Sequence, residues 1–293
     1  MSEQKGTDQK TLLGQIHKEF PELKWERYNY LNNGWDHEVI ILDDKLAFRF
    51  PNSPEYLRVL EDEIALLHFL GAKVKIKIPQ YKYVASDHSF AGYQLIKGAE
   101  LTESVFGTLS EQGRSNIAEQ LAGFFTILHT LDVNEMVEQY HVAHERPLEE
   151  RLKSLSEEFL KPNLSVEEYR KVEGVIAETE QIDYTKVPHV LTHSDISPKH
   201  IIWNSEDKSV GVIDFSDRCI GDPAGDFTEL YLYSPEFVEQ VYDLYRGPKD
   251  PEFLNRAKIH LRRVGVHMMA HSFKNQKISF EEAKRIFDKA VAL

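Results

Sequence analysis

Two short segments hold the side chains best suited to chemistry. The first is a His-x-Asp motif that ends at Asp195, with His200 five residues further on. The second is an apolar run over residues 210–213 that is followed directly by Asp214. A short loop can aim a carboxylate at a bound alcohol, and carboxylate oxygens suit hard cations such as Mg²⁺. Phosphoryl transfer needs mainly a positioned hydroxyl and a cation that neutralises phosphate charge. We therefore interpret the segments as a catalytic loop and a metal loop joined by a hairpin.

The two segments together form a more specific pattern than either segment alone. A lone His-x-Asp motif also occurs in metal-dependent hydrolases, but here it lacks a nearby His-rich partner. The hairpin and the Asp-Phe-Ser sequence at Asp214 make the combination far more specific. His200 has an ordinary alternative, as a core histidine beside two isoleucines. His193 is expected to brace the loop by hydrogen bonds, and Asp226 to buttress it.

The first hundred residues are predicted to form a small sheet with two helices. Ser53 and Pro54 mark a helix start that should continue to Leu70, and Asp43 and Asp44 are suited to a hairpin turn. The other predicted elements are a helix over 7–20 and strands over 25–31, 38–42, 45–50, 79–83 and 92–96.

After Gly98 the pattern becomes mainly helical. Helices are predicted over 110–131, 147–160, 165–181, 222–233, 235–245, 251–274 and 280–291, with short strands at 201–203 and 210–213. We expect an α+β protein with two lobes: residues 1–97 form a nucleotide-binding lobe, and residues 98–293 form a helical lobe that carries both loops. The segment at about 93–98 would be the hinge.

Composition restricts the partners. The net charge of −13 argues against nucleic acid, whose phosphates need clustered Lys and Arg, and favours a cationic partner. No apolar run reaches the ~20 residues of a membrane helix, and residues 1–5 lack the apolar core of a signal peptide. A single cysteine, Cys219, excludes an internal disulfide and fits a reducing compartment. We predict a cytoplasmic protein with no membrane association.

Negative charge is concentrated after the metal loop. Residues 214–252 contain ten acidic and three basic side chains. Asp217, Glu229 and Glu236 are the candidates there for binding a polycationic small molecule. The ordinary interpretation of each one is a solvated position on a helix face.

Several motifs together resemble the aminoglycoside phosphotransferase family, relatives of protein kinases, and most of all its 2″-phosphotransferase branch. They cover roughly residues 25–235 in the order of the family. The segments are Gly34-Trp35-Asp36, Phe48-Arg49-Phe50-Pro51, residues 92–98, the His193 loop, and residues 213–217 continuing to Asp222-Pro223.

The resemblance implies a bilobal protein-kinase-like fold, with ATP or GTP as the phosphate donor and Mg²⁺ as the metal. It makes Asp195 the catalytic base and Asp214 and His200 the metal ligands. His200 stands where the kinase template usually has Asn, but His is familiar at this position in the family.

The resemblance also assigns a nucleotide site. Arg49 falls where the family commonly has a phosphate-binding lysine, and Arg is not equivalent to Lys as a phosphate ligand. Glu63 is expected to hold Arg49, with Glu61 as the competing choice. Backbone groups of the hinge, from Gln94 to Ile96, would bind the purine, and the loop over 32–36 would cover the phosphates.

The leading hypothesis is a kinase that transfers the γ-phosphate of ATP or GTP to a hydroxyl of an aminoglycoside antibiotic. Its nearest rival is the same reaction on another alcohol, such as a macrolide, a sugar, choline or homoserine. A nucleotide-binding pseudokinase is an alternative of another class. The arginine at position 49 supports that alternative slightly, and the intact Asp195, His200 and Asp214 oppose it.

Overall fold

The computed structural model describes residues 9–32, 36–145, 149–274 and 278–293. The first elements are helix α1 (Gln9–Glu19) and strands β1 (Tyr28–Leu31), β2 (His37–Leu42) and β3 (Leu46–Pro51). Leu12 and Ile16 on α1 are buried against the sheet. The described helices include none that is both long and apolar enough to span a membrane. Most of the loop predicted to cover the phosphates, residues 33–35, lies outside the described residues.

The N-terminal sheet is antiparallel and has the order β1-β2-β3-β5-β4, completed by β4 (Tyr81–Val84) and β5 (Ala91–Gln94). Strand β3 is therefore central, and its Arg49 is buried. The predicted hairpin turn is confirmed: Asp43 and Asp44 both have positive φ, 49° and 54°. Two successive residues of this kind give a turn whose twist matches that of paired strands.

Helix α2 (Pro54–Gly71) connects the sheet to the rest of the molecule. It begins as predicted, with the Ser53 side chain accepting a hydrogen bond from the Tyr56 N–H. Its apolar face packs into the large C-terminal core through Leu66, Leu67 and Leu70. Because α2 is anchored there, the position of its other side chains is tied to both parts of the protein.

The chain passes from the sheet to the C-terminal part between residues 94 and 99. Strand β6 (Ala99–Glu100) already pairs with β8 (Ile201–Asn204) of the second part. Gly98 has φ +143°, and a Cβ there would lie 2.6 Å from the Trp203 carbonyl oxygen, so this close approach requires glycine. The lobe boundary between 97 and 98 falls in this segment and stays a prediction.

The remaining part is mainly helical. Its strands are β7 (Val190–Thr192), β8, β9 (Ser209–Val212) and β10 (Cys219–Gly221), with β7 paired to β10 and β8 to β9. Its helices are α3 (Glu103–Thr108), α4 (Glu111–Leu128), α5 (Val133–Tyr140), α6 (Glu149–Leu155), α7 (Val166–Glu180), α8 (Pro235–Leu244), α9 (Phe253–Lys274) and α10 (Phe280–Val291). A π-helical turn, Ser156–Leu160, follows α6. Residues 147 and 148, the start of the helix predicted over 147–160, lie outside the described residues.

The prediction of a helix over 222–233 is wrong. Two 3₁₀ segments, Pro223–Phe227 and Glu229–Leu232, occupy this region. Asp222 is held by Arg256 and His260, and Asp226 by backbone N–H groups of the catalytic loop. These tertiary contacts fix the backbone on both sides of Pro223 and override the helical pattern.

Candidate active site

The catalytic loop follows β7 directly. Ser194 has φ +68°, a conformation rare for residues other than glycine. His193 is buried beneath the loop, where its Nδ1 accepts from the Asp195 N–H at 3.3 Å and its Nε2–H donates to the Ile213 carbonyl at 3.1 Å. Because Nδ1 accepts a backbone N–H, the ring is neutral, and burial lowers the pKa of His193 in the same sense. The prediction that His193 braces the loop is confirmed.

A second buried group supports the same turn. The carboxylate of Asp226 accepts from the N–H groups of His193 and Ser194 at 3.0 and 2.8 Å. Its Oδ2 also contacts Nε2 of His129 at 3.0 Å, and the other ring nitrogen of His129 contacts the Tyr245 hydroxyl at 2.8 Å. Asp226 therefore does buttress the loop. His129 was missed; its signal was a lone histidine at the end of an apolar helix.

The three predicted acid and metal residues lie together. One ligand atom from each of Asp195, His200 and Asp214 falls within a cluster whose members are all within 4.8 Å of one another. His200 Nδ1 lies 2.9 Å from the Asp195 carbonyl oxygen and 3.1 Å from its Oδ2. His200 Nε2 lies 3.7 Å from Oδ2 of Asp214. The hairpin β8–β9 brings the two loops together as predicted.

This donor set fits a divalent cation. Nδ1–H of His200 is directed to a carbonyl, which leaves Nε2 facing Asp214, the arrangement that orients a metal-binding histidine. Burial lowers the pKa of His200, but the hydrogen bond to Asp195 and the charges of Asp195 and Asp214 outweigh it and raise the pKa to about 9. Burial raises the pKa of Asp214, yet Arg49 and His200 bring it down to about 2. Asp214 is thus ionised, and a cation bound at Nε2 must displace a proton.

Arg49 is at the centre of a hydrogen-bond network beside Asp214. Its Nη1 donates to Glu63 at 2.7 Å and to the Tyr81 hydroxyl at 3.1 Å. Its Nη2 donates to Asp214 at 3.0 Å and to Ser216 at 2.8 Å. The predicted pairing with Glu63 is present, whereas Glu61 is exposed and contacts His88. Burial would lower the pKa of Arg49, but Glu63 and its other neighbours raise it.

His37, at the start of β2, was also missed. Its Nδ1 lies 3.2 Å from Nη2 of Arg49 and must accept, since the guanidinium can only donate. Burial and the charge of Arg49 lower the pKa of His37 to about 3. A neutral histidine next to an arginine carried no sequence signal, because the contact depends on the register of β2 against β3.

Of the predicted hinge residues, Gln94 is the last residue of β5 and Ile96 lies two residues beyond it. The Leu95 N–H donates to the Lys45 carbonyl at 2.8 Å. No backbone carbonyl among the described residues accepts from the Ile96 N–H, and backbone groups of extended chain alternate in direction. A Cβ on Gly211 would lie 2.5 Å from Cγ2 of Ile96, so the hinge packs closely on β9. The assignment of Gln94 and Ile96 to purine binding stays a prediction.

Two further acids, Asp217 and Glu229, lie close enough to Asp195 for its charge to raise their pKa values. Neither Asp217 nor Glu229 forms an ion pair with any described residue. Asp217 is exposed, yet partial desolvation by the surrounding protein, followed by the charges of Asp195 and Asp36, raises its pKa to about 7. Burial, followed by the charge of Asp195, raises the pKa of Glu229 to about 8. In both groups burial and the charge of Asp195 outweigh the opposing charge of His200, to which Lys199 adds at Glu229.

Other acids of the 214–252 segment have different surroundings. Asp222 and Asp250 are bound by Arg256 at 2.8 and 2.6 Å, so their charge is neutralised within the protein. Glu236 lies exposed in the first turn of α8, where its own backbone N–H and Ser234 lower its pKa. Its assignment to substrate binding stays a prediction. The acidic count therefore overstates the charge available to a ligand.

Comparison with known proteins identifies the family. A family model described as the phosphotransferase enzyme family matches residues 27–256, well over half of the chain. The chain belongs to this family. It is a phosphotransferase that uses an alcohol group as acceptor, and the predicted resemblance to aminoglycoside phosphotransferases is confirmed.

Solved structures confirm the α+β kinase-like fold of this phosphotransferase. APH(2″)-IIIa, solved with GDP and kanamycin, has a TM-score of 0.83 and 24% identity, covering 96% of this chain and 98% of that one. APH(2″)-IIa, solved with ATP and streptomycin, has a TM-score of 0.69 and 19% identity, covering 98% and 97%. The macrolide 2′-phosphotransferase MphH from Brachybacterium faecium has a TM-score of 0.68 and 17% identity, covering 96% and 97%.

Proposed function

We propose that this phosphotransferase transfers the γ-phosphate of ATP or GTP to a hydroxyl of an aminoglycoside. The observation that carries the proposal is the position of Asp195. Asp195 lies in one cluster with His200 and Asp214, and its charge also raises the pKa of Glu229, which forms no ion pair among the described residues. A hydroxyl placed at Asp195 would have a phosphate donor on one side and an unpaired acid for an ammonium group on the other.

In the proposed reaction Asp195 accepts the proton of the acceptor hydroxyl as that oxygen forms the new bond to phosphorus. The nucleoside diphosphate leaves. The N–H of Asp195 is held by His193, so the carboxylate is aimed before substrate binds. Positioning of this kind is most of what a protein contributes to phosphoryl transfer.

Asp214 and His200 would hold Mg²⁺, with Asp195 at the edge of the same cluster. When bound, the cation supplies positive charge to the donor phosphates. Arg49 would bind the same phosphates, since its guanidinium lies 3.0 Å from Asp214. Arg49 is buried and forms an ion pair with Glu63 at 2.7 Å. This ion pair supports nucleotide binding with catalysis over the pseudokinase alternative.

The identity of the nucleotide is supported by solved structures, and its location by the backbone of the predicted hinge. Structures of APH(2″)-IIIa and APH(2″)-IIa contain GDP and ATP respectively. In this chain the Ile96 N–H, which no described backbone carbonyl accepts, would bind the purine edge, with Gln94 beside it. Backbone contacts of this kind do not select between adenine and guanine by side chain. We further propose a cytoplasmic location, where both nucleotides are available.

A macrolide is the second candidate acceptor, favoured by the shared fold of MphH and the macrolide 2′-phosphotransferase type I structure. A macrolide carries an amine but lacks the multiple ammonium groups of an aminoglycoside. Two acids with raised pKa, Asp217 and Glu229, are better matched by an acceptor with several cations.

The test is Mg²⁺-dependent consumption of ATP and of GTP with a panel of aminoglycosides, macrolides and small amino alcohols. We expect one or more aminoglycosides to stimulate turnover well above the acceptor-free rate, and product analysis to show one phosphate on a hydroxyl. Stimulation by a macrolide alone would replace the proposed acceptor. Nucleotide binding without stimulation by any acceptor would favour a pseudokinase.

A further inference from the structure

A second buried arginine, Arg218, lies four residues after Asp214. Its side chain is 9% exposed. The Nη1 group donates to the Phe215 carbonyl at 3.0 Å, and Nη2 donates to the Val59 carbonyl at 3.2 Å. The Nε group is buried without a hydrogen-bond partner. Arg218 thus joins the metal loop to helix α2 through two backbone carbonyls.

The absence of a counter-ion makes this contact costly. Within the described residues Arg218 forms no ion pair with a carboxylate. Burial lowers its pKa, while Glu63 and Asp62 raise it from a greater distance. Burying a charge without a close partner destabilises a fold, and a hydrophobic side chain would fill the same space without that cost. We therefore looked to the neighbouring Asp214 loop for a function of Arg218 that offsets this cost.

The carbonyl that Arg218 binds is a specific one. Val59 is four residues before Glu63 in α2, so its carbonyl also accepts the helical hydrogen bond from the Glu63 N–H. Glu63 is fully buried and binds Arg49, which in turn binds Asp214. The contacts form a closed circuit from the metal loop through Arg218 and α2 to Arg49 and back.

The metal loop depends on such support. Asp214 has φ +65°, in the left-handed region that a non-glycine residue adopts only when its surroundings hold it there. Arg218 holds the carbonyl of the next residue, Phe215, while Arg49 holds the Asp214 carboxylate. The two arginines therefore hold the backbone after Asp214 and the side chain of Asp214 itself.

We propose that Arg218 is a positioning residue that sets helix α2 and the Glu63–Arg49 pair relative to the metal ligand Asp214. The proposal rests on the proposed Mg²⁺–nucleotide site. Lysine cannot replace Arg218, because one ammonium group cannot reach the two carbonyls that the planar guanidinium spans.

The experiment measures Mg²⁺-dependent nucleotide binding by calorimetry, without acceptor, in the parent protein and in Arg218→Lys and Arg218→Gln. We expect the Mg²⁺ concentration for half-saturation to rise about 10-fold or more, as when groups that orient metal ligands are lost. Arg114→Lys is the matched control. Arg114 also donates to a backbone carbonyl, that of Gly107 at 3.1 Å, and also has a buried unpartnered Nε.

The mechanism has its own test in Glu63→Gln combined with Arg218→Lys. If Arg218 acts through Glu63, the double variant should bind Mg²⁺–nucleotide no more weakly than Glu63→Gln alone, whereas Arg114→Lys should add independently. Additive losses for Arg218→Lys and Glu63→Gln would overturn the coupling.

The remaining outcomes are also decisive. Folded Arg218 variants with half-saturation within twofold of the parent would overturn the proposal, and so would variants that cannot fold, because Arg218 would then serve the fold itself. A parent protein that binds nucleotide equally well with and without Mg²⁺ would instead overturn the proposed metal site.

Discussion

The proposed donor and acceptor sides of Asp195 differ in how their charged groups are paired. On the donor side, Glu63 and Asp214 are both bound by Arg49 at 2.7 and 3.0 Å. On the acceptor side, Asp217 and Glu229 have no cationic partner among the described residues, and the pKa values are raised to about 7 and 8. The donor side is organised before any ligand binds. On the proposed acceptor side no described ion pair holds these carboxyl groups, and a bound ammonium group would take the place of their protons.

The difference follows from the ligands. A nucleotide is the same in every cycle, so buried hydrogen bonds can be arranged for it in advance and need no reorganisation during the reaction. A carboxylate that must bind an ammonium group loses affinity if a protein side chain already neutralises it. The effects of substitutions on the two sides should therefore differ in size and in the kinetic constant that changes.

Asp195→Asn should have the largest effect, because it removes the proton acceptor that both sides share. Turnover should fall by about two to four orders of magnitude with nucleotide binding retained. Steady-state kinetics and calorimetry on the same preparation measure the two quantities. An unchanged rate would remove Asp195 from the mechanism.

Asp214→Ala should abolish the Mg²⁺ dependence of nucleotide binding, since it removes the ionised metal ligand and leaves Arg49 without one of its partners. Calorimetric titrations with and without Mg²⁺ should converge on the same weak affinity. A variant that keeps the difference of the parent would show that the cation is held elsewhere.

Arg49→Lys tests whether the donor side needs the shape of the guanidinium or only its charge. An ammonium group cannot hold Glu63, Tyr81, Asp214 and Ser216 together, so nucleotide affinity should fall about 10-fold or more while the acceptor KM changes little. A larger change in the acceptor KM than in nucleotide affinity would break the contrast between the two sides.

Glu229→Gln should raise the KM of a cationic acceptor by about 10-fold, the loss expected for one charged contact, without weakening nucleotide binding. The effect should depend on pH. Below pH 8 the Glu229 carboxyl is mainly protonated, so a bound ammonium group must displace that proton; the acceptor KM should fall as pH rises towards 8 in the parent. Titration of the acceptor amines affects the parent and Glu229→Gln equally, so the difference between their pH profiles reports on Glu229. An identical pH profile of the acceptor KM in both proteins would exclude Glu229 from acceptor binding.

The same substitution has a stability consequence with a definite sign. Folding raises the pKa of the Glu229 carboxyl, so between about pH 4.5 and about pH 8 the folded state binds more protons than the unfolded state. The free energy of unfolding therefore falls as pH rises through this range. Glu229→Gln should therefore raise the unfolding midpoint most at the alkaline end. Equal midpoints at pH 5 and pH 8.5 would contradict the burial of this group.

Glu236→Gln should have the smallest effect, less than about twofold on the acceptor KM, because an exposed charge is screened by water and salt. Measurement at low and high salt makes the comparison with Glu229→Gln sharper. An effect as large as that of Glu229→Gln would extend the acceptor site to the start of α8.

The sequence by itself determined the parts of the site that are local. Asp195 and His200 share one loop, and a short hairpin carries the chain on to Asp214, so few backbone angles separate these side chains. Their convergence could be predicted from spacing. Helix α2 and the turn at Asp43 and Asp44 were predictable for the same reason, because capping and turn residues act on their immediate neighbours.

The tertiary structure alone decided which charges are already neutralised. Arg49 and Asp214 are 165 residues apart, and Asp222 meets His260 only after α9 packs against its 3₁₀ segment. Such contacts depend on strand register and helix packing, which no local pattern encodes. The sequence therefore showed that the chain is rich in acid near its metal loop, and the fold placed Asp217 and Glu229 where the charge of Asp195 raises their pKa values and no described ion pair neutralises them.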